Sequence, residues 1–278
     1  MKLRRLAAVT LSMAMALSMT AYANDEDAVA VYQEMEAKSS TMTDMDAYLD
    51  FDIDMSTGAD HMGSRLEMNV KANNMTAPEQ MVMNMYMRMT LTDAGSLGNS
   101  NVVAGPGVED SAADLNGSSI TANMYYADGM YYMDMLGQKV KTPMPLDEMM
   151  KSMQQMTGMM TTSLDYTQDL KLRTEGETRI LSFTMDASKM NDLLAQVMGM
   201  SNMQDLASGS SISYRDISCE YDVAPDGYCT KARMKMTMDM TVENETISIT
   251  MDGDVGYANP GQPVAITAPN LAEYTLAE

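Results

Sequence analysis

The sequence predicts an α+β protein built on one strongly curved antiparallel sheet, an incomplete β-barrel of about ten strands with helices packed in its concave side. Three observations lead there. Methionine recurs at every second position, as MVMNMYMRM over residues 81–89 and MKMTMDM over 234–240. A period of two puts those thioethers on one face of a strand and Val82, Asn84, Tyr86 and Arg88 on the other, whereas a helix would scatter them around its cylinder. Short turns link most of the alternating runs, which permits only antiparallel neighbours. Two further segments carry methionine at helical spacing and need an apolar surface to cover.

The elements follow in order. Residues 25–38 read as a helix with acidic residues in its first turn. Met45, Ala47, Leu49, Phe51, Ile53 and Met55 then alternate with Asp44, Asp46, Asp50, Asp52 and Asp54, a strand with an apolar and a carboxylate face. Turns at Gly58-Ala59-Asp60 and Asn73-Asn74 lead into a second strand (Met62, Leu66, Met68, Val70, Ala72) and then the methionine ladder. The Gly/Ser/Asn-rich stretch 93–120 predicts a mobile loop. A hairpin turns at Asp128-Gly129, and Gly137–Lys141 continues the chain to Pro143. Pro145 suits the first turn of a helix over 146–161, with Leu146, Met149, Met153, Met156 and Met160 as its stripe. Two short strands, around 170–172 and 180–185, precede an Asp186-capped helix over 187–200 carrying Met190, Leu193, Leu194, Val197 and Met198. Three long strands, 212–223, 228–243 and 245–257, close the sheet before a proline-bearing tail.

The ends and bulk composition set the compartment. Lys2, Arg4 and Arg5, an uncharged stretch from Leu6 to Met19, and Ala21-Tyr22-Ala23 read as a secretory signal over residues 1–23, cleaved after Ala23. Residues 24–278 then form a single domain, secreted, with no integral membrane segment and no cysteine near the cleavage site for a lipid anchor. The net charge is −21, with 39 acidic against 18 basic residues. Such a surface repels nucleic acid and anionic membrane and favours a soluble monomer. Tryptophan is absent, which argues against a sugar-stacking platform.

No catalytic set stands out, and the chain is expected to be non-enzymatic and without cofactor. His61 is the one histidine and falls in a turn, where solvation is the ordinary fate of the ring. No G-x-S-x-G, Walker loop, H-E-x-x-H or C-x-x-C occurs. Asp50-Phe51-Asp52-Ile53-Asp54 has the spacing of a calcium loop but places Met55 where that loop needs glycine, so it reads as an outward carboxylate row and not a metal site. Cys219 and Cys229 flank the turn Ala224-Pro225-Asp226-Gly227, which brings them towards each other as a candidate disulfide. Strict alternation puts Cys229 outside with Tyr228, Thr230, Ala232 and Met234 inside, and a bulge at Gly227 would restore the register.

The segment YYADGMYYMDMLGQKVKTPMPLDEMM (125–150), the run Leu181–Asp186 before a helix, and Ala224–Tyr228 between long strands complete a pattern that covers nearly all of residues 24–278. On these features, together with the order of elements, the chain resembles uncharacterised secreted and lipid-anchored Gram-positive relatives of the LolA and LppX/LprG lipoprotein-carrier fold. The resemblance implies a half-barrel capped by helices around an apolar cavity that accepts acyl chains. The chain departs from that pattern in lacking the lipid-attachment cysteine and in the length of 93–120. The expected function is an extracytoplasmic binding protein for lipids or other amphiphiles. Its cavity would be lined by Met83, Met85, Met87, Met149, Met153, Met156, Met190, Leu194 and Val197. The alternatives are a structural or sensor domain that binds a protein partner, and a Cu(I) or Ag(I) binder, since thioether sulfur is a soft ligand.

Overall fold

A computed structural model describes residues 26–58, 60–93, 116–144, 164–192, 210–242 and 245–277, and the statements below concern these. Helix α1 (Glu26–Ser40) leads into β1 (Met45–Thr57), β2 (Asp60–Asn73) and β3 (Val82–Asp93). Then come β4 (Ser119–Ala127), β5 (Met130–Met135), β6 (Gln138–Pro143), β7 (Thr167–Glu175) and β8 (Thr178–Met185). A short helix over 187–192 precedes β9 (Ser210–Val223), β10 (Cys229–Val242), β11 (Glu245–Tyr257) and β12 (Thr275–Leu276).

All 12 strands join one curved, unclosed sheet in the order β12-β6-β5-β4-β3-β2-β1-β11-β10-β9-β8-β7. Every pairing is antiparallel except the parallel contact of β12 with β6. The sheet is thus two meanders, β1–β6 and β7–β11, hydrogen-bonded to each other along β1 and β11. Two elements cross that seam in opposite directions. The first helix, α1, lies on the late meander against β7 and β8. The last strand, β12, lies on the early meander beside β6.

Local chemistry explains the turns and caps. Asp128-Gly129 (φ 52° and 73°) and Leu136-Gly137 (φ 52° and 80°) are two-residue loops with left-handed backbone at both positions, which matches the twist of the flanking strands. The Asp186 carboxylate accepts hydrogen bonds from the backbone N–H groups of Ser188 (3.0 Å) and Lys189 (3.2 Å), capping the helix at 187–192 as its sequence predicts. In α1, Glu26 and Asp27 sit in the first turn and Lys38 in the last, each favourable to the helix dipole.

Several expectations are corrected. The sheet has 12 strands because Gln138–Pro143 forms a full strand and the tail adds Thr275–Leu276. Both ends of the 93–120 stretch are strand, with Asp93 closing β3 and Ser119 opening β4, while 94–115 lies outside the described residues. The helix expected at 146–161 also lies outside them, as does 193–200 of the second one. Cys219 and Cys229 are both free. The bulge sits at Thr230 and not at Gly227: Cys229 faces Val223, and the next pair is Lys231 with Asp222. The Thr230 hydroxyl donates to the Asp222 carbonyl (3.2 Å) and holds the extra residue in place. The bulge brings Cys229 to the inner face, but its partner Val223 is four residues along β9 from Cys219. That is about 13 Å of strand, well beyond the ~7 Å limit for a disulfide.

Candidate functional site

Register fixes the two faces of the sheet. Opposed residues share a face, so the row Phe183–Cys219–Met234–Gly253–Phe51–Leu66–Met89 runs across seven strands on one side. We call this the inner face, because α1 packs on it. Charge is on the other side. Arg65 pairs with Asp50, Lys71 with Asp46 (2.9 Å), Lys231 with Asp254 (2.8 Å), and Arg233 with Asp222 (2.8 Å) and Glu220 (2.6 Å). These cations answer a real need, since Asp50 lies opposite Asp254 and Asp52 opposite Asp252, and opposed like charges destabilise a sheet. In the expected outward carboxylate row, Asp46 and Asp50 are thus paired with cations.

The inner face has two buried ends. At one end Ala28, Val31, Tyr32 and Met35 of α1 meet Leu170, Leu181, Phe183, Met185, Met190, Ile217, Cys219 and Val223. Tyr32 meets Phe183 edge-on at 6.0 Å, and Phe183 meets Tyr221 edge-on at 5.1 Å. The Arg179 guanidinium hydrogen-bonds the Glu34 carboxylate (2.7 Å) and holds its pKa below the usual range. At the other end Val70, Ala72, Met81, Met83 and Tyr126 form a second cluster. Between the ends the face is only half covered. Met68, Met85, Met87, Met124, Met133, Met236 and Met251 are half-buried, and Met89 is 41% exposed.

The candidate lining residues separate on this map. Met83 is in the second cluster and Met190 in the first, so the structure does not bring these two together. Met85 and Met87 lie on the half-covered part. Met149, Met153, Met156, Leu194 and Val197 lie outside the described residues. A groove of about 460 Å³ is present, but its lining is dominated by residues that alternate outward: Lys171, Ser182, Thr184, Ser218, Arg233 and Lys235 are among them. Short Ser and Thr side chains between long cationic ones create that depression, and it is not the methionine surface. His61 hydrogen-bonds the Asp93 carboxylate (2.8 Å) at an exposed strand end.

Sequence reasoning missed the tyrosines beneath the tail. Tyr125, Tyr132 and Tyr274 stack in series with centroids 5.9 and 5.4 Å apart, and Lys139 pairs with Glu273 beside them. The alternation of β4 and β5 could have shown Tyr125 and Tyr132 side by side on the outer face. Nothing in the tail's pattern announces Tyr274.

The comparisons with known proteins bear on this architecture. One family model matches residues 27–273. The chain belongs to DUF6612, a family of unknown function. No curated protein matches it. Among solved structures, this DUF6612 chain is similar to the Mycobacterium tuberculosis lipoprotein LppX, at 8% identity over 88% of this chain and 100% of that one, with a TM-score of 0.39. It is also similar to a DUF1329 family protein from Desulfovibrio piger, at 10% identity over 86% and 92% of the two chains, with a TM-score of 0.25. No helix among the described residues of this DUF6612 chain is long and apolar enough to cross a membrane.

Proposed function

We propose that the protein is a non-enzymatic, secreted binding protein that holds a lipid or another hydrophobic or amphiphilic ligand against the methionine surface of its sheet. The observation that supports this reading is the half-covered inner face. Two compact clusters anchor its ends, while the thioethers between them remain partly open. Methionine is unbranched and polarizable, so such a surface adapts to acyl chains of different shape. The wall of this reading centres on Met85 and Met87, with Met83 and Met190 in the clusters at its two ends; the other sequence candidates lie outside the described residues. The export signal expected over residues 1–23 and the net charge of −21, which favours a soluble monomer, are in keeping with this reading.

Native mass spectrometry of the protein purified from its own host, with a thermal-shift panel of fatty acids, phospholipids and lysolipids, tests this reading. A bound amphiphile and a rise in melting temperature are expected. Ligand at 100 times its Kd adds about 2.7 kcal/mol. A ligand-free protein whose melting temperature no amphiphile moves removes the reading.

A further inference from the structure

The inner face carries a second feature, on the same half-covered surface that the lipid reading uses. Ala122 of β4 is only 2% exposed, although its side chain is a single methyl group on the half-covered part of the sheet. Its register partners are Met87 and Met135. One step along the same face of β4 is Met124, whose partners are Met85 and Met133. Five thioethers therefore lie beside Ala122 or on the side of it that carries Met124, with Ile120 on the other side. At 2% exposure the Ala122 methyl is covered by its neighbours, and these methionines are the long side chains beside it. Opposed Cβ atoms in such rows lie about 5 Å apart and diagonal positions about 7–8 Å apart. Each sulfur stands two bonds beyond Cβ on freely turning torsions, so three of the five can converge on one ion.

The group is open to solvent on its rim, with Met135 40% exposed and the other four half-buried. The side-chain donors that the register gathers at this point are methionine sulfurs. Neutral thioethers are soft ligands that suit Cu(I) and its redox-inert analogue Ag(I), and they are poor partners for Ca²⁺ or Mg²⁺. The net charge of −21 draws cations to the molecule at the same time.

We propose that Met85, Met87, Met124, Met133 and Met135, grouped beside Ala122, form a binding site for one soft monovalent cation, Cu(I) or Ag(I). The site shares Met85 and Met87 with the proposed lipid wall but does not require that a lipid bind there. Leucine keeps the face apolar and of similar volume, so methionine-to-leucine variants lose the metal site while retaining an oily surface.

The test titrates Ag(I) alone into the full chain in chloride-free, thiol-free buffer, followed by calorimetry, native mass spectrometry and silver X-ray absorption. The same titration on a Cys219→Ala/Cys229→Ala variant separates thiol capture from thioether binding. One Ag(I) per chain with a first shell of sulfur alone is expected in both proteins. Met87→Leu/Met124→Leu, added to the cysteine variant, should weaken binding at least ~10-fold, as loss of a ligand exceeds the effect of a second-shell change. Met240→Leu on β10, in the same background, should leave it unchanged. Circular dichroism confirms that the variants are folded. Absence of binding in the cysteine variant, oxygen or nitrogen in the first shell, or equal losses in the β3/β4 and β10 variants each overturns the proposal. The lipid panel is run on the unsubstituted chain, so a failure of the metal site and a failure of the lipid reading are separate results.

Discussion

Leu136 occupies the first position of the β5–β6 turn with φ 52°, and its side chain is 72% exposed. Left-handed backbone costs an L-residue roughly 1–2 kcal/mol, and nothing in this exposed position compensates. Asn tolerates that conformation and makes Asn-Gly, a strong signal for this turn type. Leu136→Asn should therefore raise stability by about 1 kcal/mol, read as a higher urea midpoint at unchanged slope. A lower midpoint would contradict the turn geometry. Gly253 makes the opposite case. A Cβ there would lie 2.8 Å from the Phe51 Cα, with the Phe51 ring and the Asp50 carbonyl closer still. Backbone cannot step aside, so Gly253→Ala should cost about 2 kcal/mol or more, in the overpacking range. Gly256 has only the ring and hydroxyl of the half-exposed Tyr48 over it. Gly256→Ala should cost less, and equal losses at the two glycines would refute the distinction.

At the scale of elements, an aromatic contact helps to hold α1 on the sheet. Tyr32 is 1% exposed and meets Phe183 edge-on. Tyr32→Ala should destabilise by about 3–5 kcal/mol, as large aromatic truncations do. Hydrogen exchange should rise first in α1, β7 and β8, and uniform loss of protection over β1–β6 would count against the contact map. The strands were readable from alternation because one face is apolar and the other charged: the partition of β1 into Ala47 and Phe51 against Asp50 and Asp52 survives intact. What alternation could not show were the irregularities. The bulge at Thr230 depends on a hydroxyl reaching the Asp222 carbonyl across the hairpin, a contact with no sequence signature. The turn at Leu136 carries no usual first-position residue. A two-residue strand such as β12 has no period at all. The candidate lining was half legible for a similar reason. Periodicity assigned Met83 and Met190 to the inner face, but their membership of separate clusters is set by long-range strand order.

For the whole molecule, burial of titratable groups on the inner side sets an alkaline limit. Burial pushes Cys219, Cys229 and Tyr257 up to about 12. In the unfolded chain thiols titrate near ~8.5 and tyrosine near ~10. Above pH ~9 the unfolded state therefore holds fewer protons than the folded state, and stability falls as pH rises until about 12. The urea midpoint should be flat with respect to these three groups below pH ~8.5 and decline above pH ~9. Cys219→Ala should reduce the slope, and an identical slope in that variant would argue that the thiol is not shielded. Iodoacetamide at pH 8 should leave both thiols unmodified in the native protein and alkylate both in denaturant, because the thiolate is the reactive form.

The seam between β1 and β11 has a consequence for how the molecule comes together. Ala47 and Tyr257 meet there across most of the chain's length, so this joint waits until almost everything else has been made, and such distant pairings are slow to form. Meanwhile each half borrows a clasp from the other: the opening helix covers the far half, and the closing strand edges the near one. Neither half keeps its full set of contacts when the other lets go, and damage at one extremity is felt at the opposite side of the molecule.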